Sequence, residues 1–168
     1  IAQNVDILIT CLPSPDAVSA VMEGANGVIE GIKPGFVWAE MSTTDESEVR
    51  RIGDLVLKKG GEPMDCPVSG GCHRAATGNI SIFVGSQRST FDRCLPILTT
   101  LGGKVLHTGK LGSASILKVI TNYLASINLA ALGEGLMTAS KNEIDLNTAF
   151  EAIRISSGNS FVHETESQ

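Results

Sequence analysis

Lys118 and Asn122 are the residues whose types and spacing most suggest chemistry in this sequence. Lys118 lies within the apolar run 116–120, and Asn122 follows four residues later. Residues four apart share one face of an α-helix, and a lysine among apolar neighbours is costly to bury unless it has a partner or a task. Because desolvation lowers the pKa of a lysine, such a side chain can act as a general acid or base near neutral pH. The alternative is a lysine whose stem covers apolar surface while its ammonium group reaches water.

A second candidate is the loop of Ser69, Gly70 and Gly71, which follows a short predicted strand at residues 62–65. Ligands of open α/β sheets bind beyond the carboxyl ends of the strands. The two glycines allow close approach of the backbone, whose N–H groups can hold a carboxylate, and Ser69 adds a hydroxyl. The alternative interpretation is an ordinary tight turn.

Two further turns also follow predicted strands. Leu12 and Pro13 lie at the end of the first strand, and Ser42, Thr43 and Thr44 follow the end of the second. Backbone N–H groups and a threonine hydroxyl at these places could contact a nucleotide. The alternative is the capping of the next helix, which we prefer for Thr44.

Metal-binding residue types form one weak cluster, made of Cys66, Cys72 and His73. No fourth ligand accompanies them at a usual spacing, so we predict no metal site. His107 and His163 are interpreted as structural or surface residues.

The bulk composition is that of a globular domain. The chain has 168 residues, is 42% hydrophobic and 18% charged, and carries a net charge of −5. This charge gives no electrostatic reason to expect a nucleic acid or an anionic membrane as partner. We expect no apolar segment near the roughly 18 residues that span a bilayer. The four cysteines lack paired spacing, so we predict reduced thiols in an intracellular, cytoplasmic protein.

The predicted elements fall into two parts. Strands are predicted at 5–12, 36–41, 62–65, 80–85 and 104–108. Helices are predicted between them at 17–24, 45–59 (with cap residues at 42–44), 72–78 and 90–101. Alternating strands and helices imply a doubly wound α/β layer. A long helix from Ser113 to about Lys141 and a second from Asp145 or Asn147 to about Ile155 follow, and no further element is predicted. We therefore place a domain boundary between residues 110 and 111.

Four blocks together resemble the β-hydroxyacid dehydrogenases, the family that contains 3-hydroxyisobutyrate dehydrogenase and tartronate semialdehyde reductase. In chain order they are residues 9–13 (Ile-Thr-Cys-Leu-Pro), 41–43 (Met-Ser-Thr), 65–71 (Asp-Cys-Pro-Val-Ser-Gly-Gly, with Ala75 and Gly78 after it) and 112–122, which ends in Lys-x-x-x-Asn. The resemblance covers nearly the whole chain, and its last two blocks are specific in combination.

The resemblance implies an oxidoreductase that transfers a hydride between NAD or NADP and a small 3-hydroxy acid or its semialdehyde. Residues 1–110 would be the C-terminal part of a Rossmann-type NAD(P)-binding domain, and residues 111–168 the start of an all-helical domain. The implied roles are cofactor contact for Leu12, Pro13 and Thr43, substrate binding for Ser69, Gly70 and Gly71, and catalysis for Lys118 and Asn122. The full-length protein would be a homo-oligomer.

Some family features are missing from these 168 residues. The Gly-x-Gly-x-x-Gly fingerprint and the acidic or basic residue that selects NAD or NADP do not occur here. We therefore expect a piece of a longer protein that is inactive alone. Glu40 stands where an aspartate is common, and His73 and Arg74 follow the glycine pair. Two alternatives stay open: a non-catalytic NAD(P)-binding or assembly module, and an enzyme like 6-phosphogluconate dehydrogenase, although no strong basic phosphate site is evident.

Overall fold

A six-stranded mixed sheet organises the first part of the chain in the computed structural model, which describes residues 1–166. The strands are β1 (Ile7–Thr10), β2 (Val37–Glu40), β3 (Glu62–Asp65), β4 (Val68–Ser69), β5 (Ser81–Gly85) and β6 (Lys104–Gly109). The intervening helices are α1 (Pro15–Glu23), α2 (Glu46–Lys58), α3 (Gly71–Ala76) and α4 (Arg88–Leu101), and single 3₁₀ turns lie at Ala2–Asn4 and Val28–Gly31.

The sheet changes direction after its third strand. Strands β1, β2 and β3 are parallel neighbours, as the alternation of strands and helices predicts. Strand β5 runs antiparallel to β3 and β4 and parallel to β6. The reversal lies between β4 and β5, which pair antiparallel and are joined by residues 70–80, the segment that includes α3.

Apolar side chains cover both faces of strand β2, which lies between β1 and β3. Val37 and Ala39 belong to one buried cluster, which includes Phe91 and Leu98 of α4. Trp38 belongs to the other, which includes residues of α1 and α2. Alternate residues of a strand point to opposite faces, so this sheet has helices on both sides. Strand β1 is less fully covered than β2, because Ile9 is 40% exposed.

The start of α2 also differs from its prediction. Asp45, and not Ser42, Thr43 or Thr44, is the N-cap residue, and its carboxylate accepts bonds from the N–H groups of Ser47 and Glu48. Aspartate is among the best N-cap residues, and the Ser42 hydroxyl already has another partner, the N–H of Leu12.

The last part of the chain is helical. It comprises α5 (Ser113–Lys141), α6 (Leu146–Arg154) and α7 (Phe161–Glu166). The bounds of α5 agree with the prediction, and Asp145 caps α6. The expectation that no further element follows residue 155 was wrong, since α7 lies there. Residues 167 and 168 lie outside the described residues. The chain divides into two compact units, one ending at Val119 and the other beginning at Ile120.

Helix α5 overturns the expectation of no long apolar segment. Within residues 1–166 it is the one helix long and apolar enough to cross a membrane, by length and composition alone. Core helices of soluble proteins share these properties. The absence of a membrane partner therefore stays a prediction.

Candidate active site

Three polar residues form a row across the parallel strands. Thr10, Glu40 and Asp65 end β1, β2 and β3 and are paired in register. All three are buried, and the two carboxylates are fully enclosed. Since buried charges are costly unless they are hydrogen-bonded, the partners of these groups show what the row is for.

Glu40 holds the turns after β1 and β2. Its Oε1 accepts the N–H of Ser42 at 2.6 Å, and its Oε2 accepts the hydroxyl of Thr10 at 2.6 Å. The Thr10 hydroxyl in turn accepts the indole N–H of Trp38 at 2.9 Å. The Ser42 hydroxyl accepts the N–H of Leu12 at 2.7 Å. One buried network thus fixes the backbone of both turns that sequence reasoning assigns to the cofactor.

The cofactor candidates are accessible on this fixed backbone. Pro13 and Thr43 are exposed and Leu12 is half-buried. The neighbouring Thr44 is buried, and its hydroxyl has no hydrogen-bond partner, which contradicts the interpretation of Thr44 as a helix cap. A buried hydroxyl without a partner is rare in folded proteins. The turn after β2 therefore carries the exposed residue Thr43 and the buried hydroxyl of Thr44, which has no hydrogen-bond partner.

The substrate candidates lie beyond β3. Ser69 ends β4 and is half-buried. Gly70 has φ of 131° and Gly71 has φ of 77°, a region that side chains rarely adopt. A Cβ atom on Gly70 would lie 2.8 Å from Cδ of Arg74. The loop conformation thus requires the glycine pair, which leads directly into α3.

Lys118 lies in the second turn of α5 and is only 8% exposed. Burial lowers the pKa of its ammonium group below the ordinary value of 10.5, because a low-dielectric environment disfavours the charged form. Asn122 is exposed and belongs to the second compact unit.

Asp65 binds the beginning of the helix that carries Lys118. Its carboxylate accepts the N–H groups of Gly112 and Ser115, both at 2.8 Å, and the Ser115 hydroxyl at 2.9 Å. Burial raises the pKa of the Asp65 carboxyl, and these three bonds oppose that rise. Sequence reasoning missed the roles of Thr10, Glu40 and Asp65. The signal that could have found them is a polar residue at the end of each of three apolar strands.

Two of the three histidines, His107 and His163, have structural partners. A ring nitrogen of His107 lies 3.1 Å from the Ser86 carbonyl oxygen, and one of His163 lies 3.1 Å from that of Phe150. No cluster of three or more metal-binding side chains occurs among residues 1–166.

Two family models match the chain. The NAD binding domain of 6-phosphogluconate dehydrogenase matches residues 1–109. The model described as the NAD-binding domain of NADP-dependent 3-hydroxyisobutyrate dehydrogenase matches residues 112–168.

Curated relatives agree with these models. The chain is 33% identical over 166 residues to 2-(hydroxymethyl)glutarate dehydrogenase of Eubacterium barkeri, covering 99% of the chain and 55% of that protein. It is 31% identical to mitochondrial 3-hydroxyisobutyrate dehydrogenase of Rattus norvegicus, covering 98% of the chain and 49% of the relative. The chain thus spans about half the length of the curated relatives it matches.

A solved structure shares the fold at similar coverage. It is the 3-hydroxyisobutyrate dehydrogenase of Mycobacterium tuberculosis with L-serine, at a TM-score of 0.89 and 27% identity, covering 98% of this chain and 55% of that one. Together with the family models, the Ser-Gly-Gly loop and the buried lysine, this likeness shows that the chain belongs to the β-hydroxyacid dehydrogenase family.

Proposed function

We propose that the full-length protein is an NAD(P)-dependent oxidoreductase that interconverts a small 3-hydroxy acid and its semialdehyde. The observation that carries the proposal is Lys118, a buried lysine of lowered pKa in the block that resembles the catalytic helix of the family. The relatives named as dehydrogenases of hydroxy acids support this substrate class.

Leu12, Pro13 and Thr43 would hold NAD or NADP. The fit of this edge to a dinucleotide rests on the exposed Thr43, the unused buried hydroxyl of Thr44 and the backbone that Glu40 fixes. When bound, the nicotinamide ring supplies the hydride chemistry. The protein then has to orient the substrate and handle one proton.

Ser69, Gly70 and Gly71 would bind the substrate carboxylate through the serine hydroxyl and backbone N–H groups. In the oxidation direction the hydroxyl proton of the substrate passes to the neutral amine of Lys118 while the carbon-bound hydrogen leaves as hydride. In the reduction direction the ammonium group returns that proton to the forming alkoxide. Asn122 would orient the substrate or the lysine.

The experiment is Lys118→Ala in the full-length protein. Turnover should fall by roughly 10²- to 10⁴-fold, the usual contribution of acid–base catalysis, while the dissociation constant of NAD(P) stays within about twofold. Lys141→Ala is the matched control, since Lys141 is an exposed lysine of the same helix. Near-normal turnover of the Lys118→Ala protein would reject the proposed role.

A second candidate is oxidative decarboxylation of a sugar acid phosphate, favoured by the description of the family model that matches residues 1–109. Release of carbon dioxide from 6-phosphogluconate would support it, and hydride transfer from 3-hydroxyisobutyrate without carbon dioxide would reject it. A protein that binds NAD(P) but oxidises neither would instead be a non-catalytic module.

We also infer a domain division at residues 110 and 111, supported by the family models that end at 109 and begin at 112. The compact units divide nine residues later, within α5. The proposed enzyme would be cytoplasmic and homo-oligomeric, with no nucleic acid or membrane partner.

A further inference from the structure

The first turn of α5 is held by a side chain from a distant strand. Asp65 precedes Gly112 by 47 residues and Ser115 by 50. Its Oδ1 accepts from Gly112, and its Oδ2 accepts twice from Ser115. All of these groups are buried.

These bonds replace a local cap. The first N–H groups of a helix lack intrahelical acceptors and are usually satisfied by the side chain of the residue that precedes it. That residue is Gly112, whose carbonyl oxygen accepts the N–H of Ile116 at 3.2 Å, and glycine has no side chain to offer. Asp65 therefore supplies the acceptor that the sequence around α5 lacks.

The space around the carboxylate leaves little room for another arrangement. Gly85 pairs with Asp65 across the sheet, and a Cβ atom there would lie 2.3 Å from Asp65 Oδ1. The hydroxyls of Thr108 and Ser113 lie 2.7 Å apart, and that of Thr108 donates to the Val84 carbonyl oxygen. The beginning of α5 is thus fixed to the ends of β3, β5 and β6.

The fixed turn sets the direction of Lys118. Ser115 and Lys118 are three residues apart, so they share a helix face, and both are buried. The backbone N–H and the hydroxyl of Ser115 both donate to Asp65. These two bonds fix the rotation of the first turns of α5 about the helix axis and their position along it. We propose that Asp65 is a positioning residue for Lys118, an inference that rests on the proposed function.

The same strand also leads to the substrate loop. Asp65 ends β3, and Ser69 follows four residues later. The bonds of the Asp65 carboxylate run to Gly112 and Ser115, so its side chain acts on the helix that carries the proton-handling lysine. Since a misplacement of about 1 Å can cost roughly 100-fold in rate, such a link matters for turnover more than for cofactor binding.

The test is a double-mutant cycle between Asp65→Asn and Lys118→Ala in the full-length protein. Asparagine keeps the shape of aspartate but has one carbonyl oxygen, so at least one N–H of the α5 turn loses its acceptor. We expect turnover to fall about 10- to 100-fold, with the dissociation constant of NAD(P) within about twofold. Ser115→Ala removes only the hydroxyl donor and should have a smaller effect of the same kind.

The decisive measurement is the effect of Asp65→Asn on turnover in the Lys118→Ala background. If Asp65 acts through Lys118, Asp65→Asn should change the residual turnover of the Lys118→Ala protein less than about twofold, because interacting sites are non-additive. Asp145→Asn, which alters the exposed cap of α6, is the matched control and should leave turnover unchanged in both backgrounds.

The outcomes separate the two proposals. Equal fold losses from Asp65→Asn in both backgrounds would overturn the positioning role, as would a fully active single variant. Near-normal turnover of Lys118→Ala alone would instead reject the proposed function. Should Asp65→Asn fail to fold, the cycle is run with Ser115→Ala, where equal losses in both backgrounds or no loss at all would again overturn the inference.

Discussion

Thr10→Val tests the buried network beneath the proposed cofactor turns. Valine has nearly the shape of threonine but neither donates nor accepts a hydrogen bond. The substitution deletes the 2.6 Å bond from Thr10 to the Glu40 carboxylate and the acceptor of the Trp38 indole N–H at 2.9 Å. All three residues are buried, so water cannot replace either partner without a rearrangement.

The magnitude follows from these two losses. A hydrogen bond to a charged group contributes about 1.5–3 kcal/mol, and a buried donor left without an acceptor costs about 1–3 kcal/mol. The added methyl group of valine returns up to about 0.8 kcal/mol through burial. We therefore expect the free energy of unfolding to fall by about 2–5 kcal/mol, a large part of the roughly 5–15 kcal/mol typical of a domain.

The assay is urea unfolding followed by fluorescence, for which Trp38, the single tryptophan of these 168 residues, is the probe. Thr10→Ser is the matched variant, because it keeps the hydroxyl and should lose only about 1 kcal/mol for its missing methyl group. Thr100→Val, at an exposed position of α4, should change stability by no more than about 0.5 kcal/mol.

Comparing the stability losses of Thr10→Val and Thr10→Ser shows whether the Thr10 hydroxyl stabilises the network. If Thr10→Val costs less than about 1 kcal/mol, or no more than Thr10→Ser, then the hydroxyl is not the group that stabilises the network. In that case the bond between Thr10 and Glu40 would not be what holds the two turns.

Three further predictions follow from the same structure. Burial lowers the pKa of Lys118 below 10.5. The rate of oxidation, which needs the neutral amine, should therefore rise as the pH passes through that lowered pKa, and the rate of reduction, which needs the ammonium group, should fall. Initial rates measured in both directions as a function of pH test this. Ser69→Ala should raise the KM for the hydroxy acid about 3- to 10-fold, the equivalent of one hydrogen bond, with the dissociation constant of NAD(P) unchanged by titration. Gly85→Ala places a Cβ atom 2.3 Å from Asp65 Oδ1 and should destabilise the protein by at least about 1–3 kcal/mol in urea unfolding.

Each of these predictions has a control. An oxidation rate that does not rise with pH anywhere below 10.5 would contradict the lowered pKa of Lys118. Ser81→Ala alters the cross-strand partner of Ser69 and should leave KM unchanged; an equal rise in both variants would count against a substrate contact by Ser69. A Cβ atom at Gly133 meets no atom within 4 Å, so Gly133→Ala should stabilise α5 by about 0.5–1 kcal/mol. If Gly133→Ala also destabilised the protein, the loss in Gly85→Ala could not be attributed to the contact with Asp65.

Local signals predicted much of the secondary structure. The bounds of α5 were predictable because two glycines precede it and no strand-like alternation follows. Strand β3, Glu62–Asp65, was predicted with its observed bounds, since a glycine pair and Pro67 flank it. Helix α7 was missed because a six-residue helix is too short to show a clear period of 3.6.

Local sequence signals could not predict the hydrogen-bond network beneath the turns. Ser42 is a good cap residue by type, yet its hydroxyl binds Leu12, thirty residues away in sequence, and Asp45 caps α2 instead. Likewise, nothing near Asp65 in sequence indicates a bond to Gly112 or Ser115. Such pairings depend on strand register, which is a property of the folded sheet. The site residues proposed from the resemblance, Lys118 among them, remain predictions that the mutants above address.

In the polar row at the ends of β1, β2 and β3, the residues that hold the backbone are different from the residues proposed to bind ligands. The enclosed side chains of Glu40 and Asp65 bind backbone N–H groups and neighbouring hydroxyls, while the residues proposed to bind the cofactor and the substrate carboxylate lie in the segments that follow the strands. Recognition residues can therefore change in evolution, or in the laboratory, without removing the supports. His73 and Arg74, which depart from the family pattern, lie in α3, just after the glycine pair. New substrate preferences in this scaffold should be sought there first, with the row left intact.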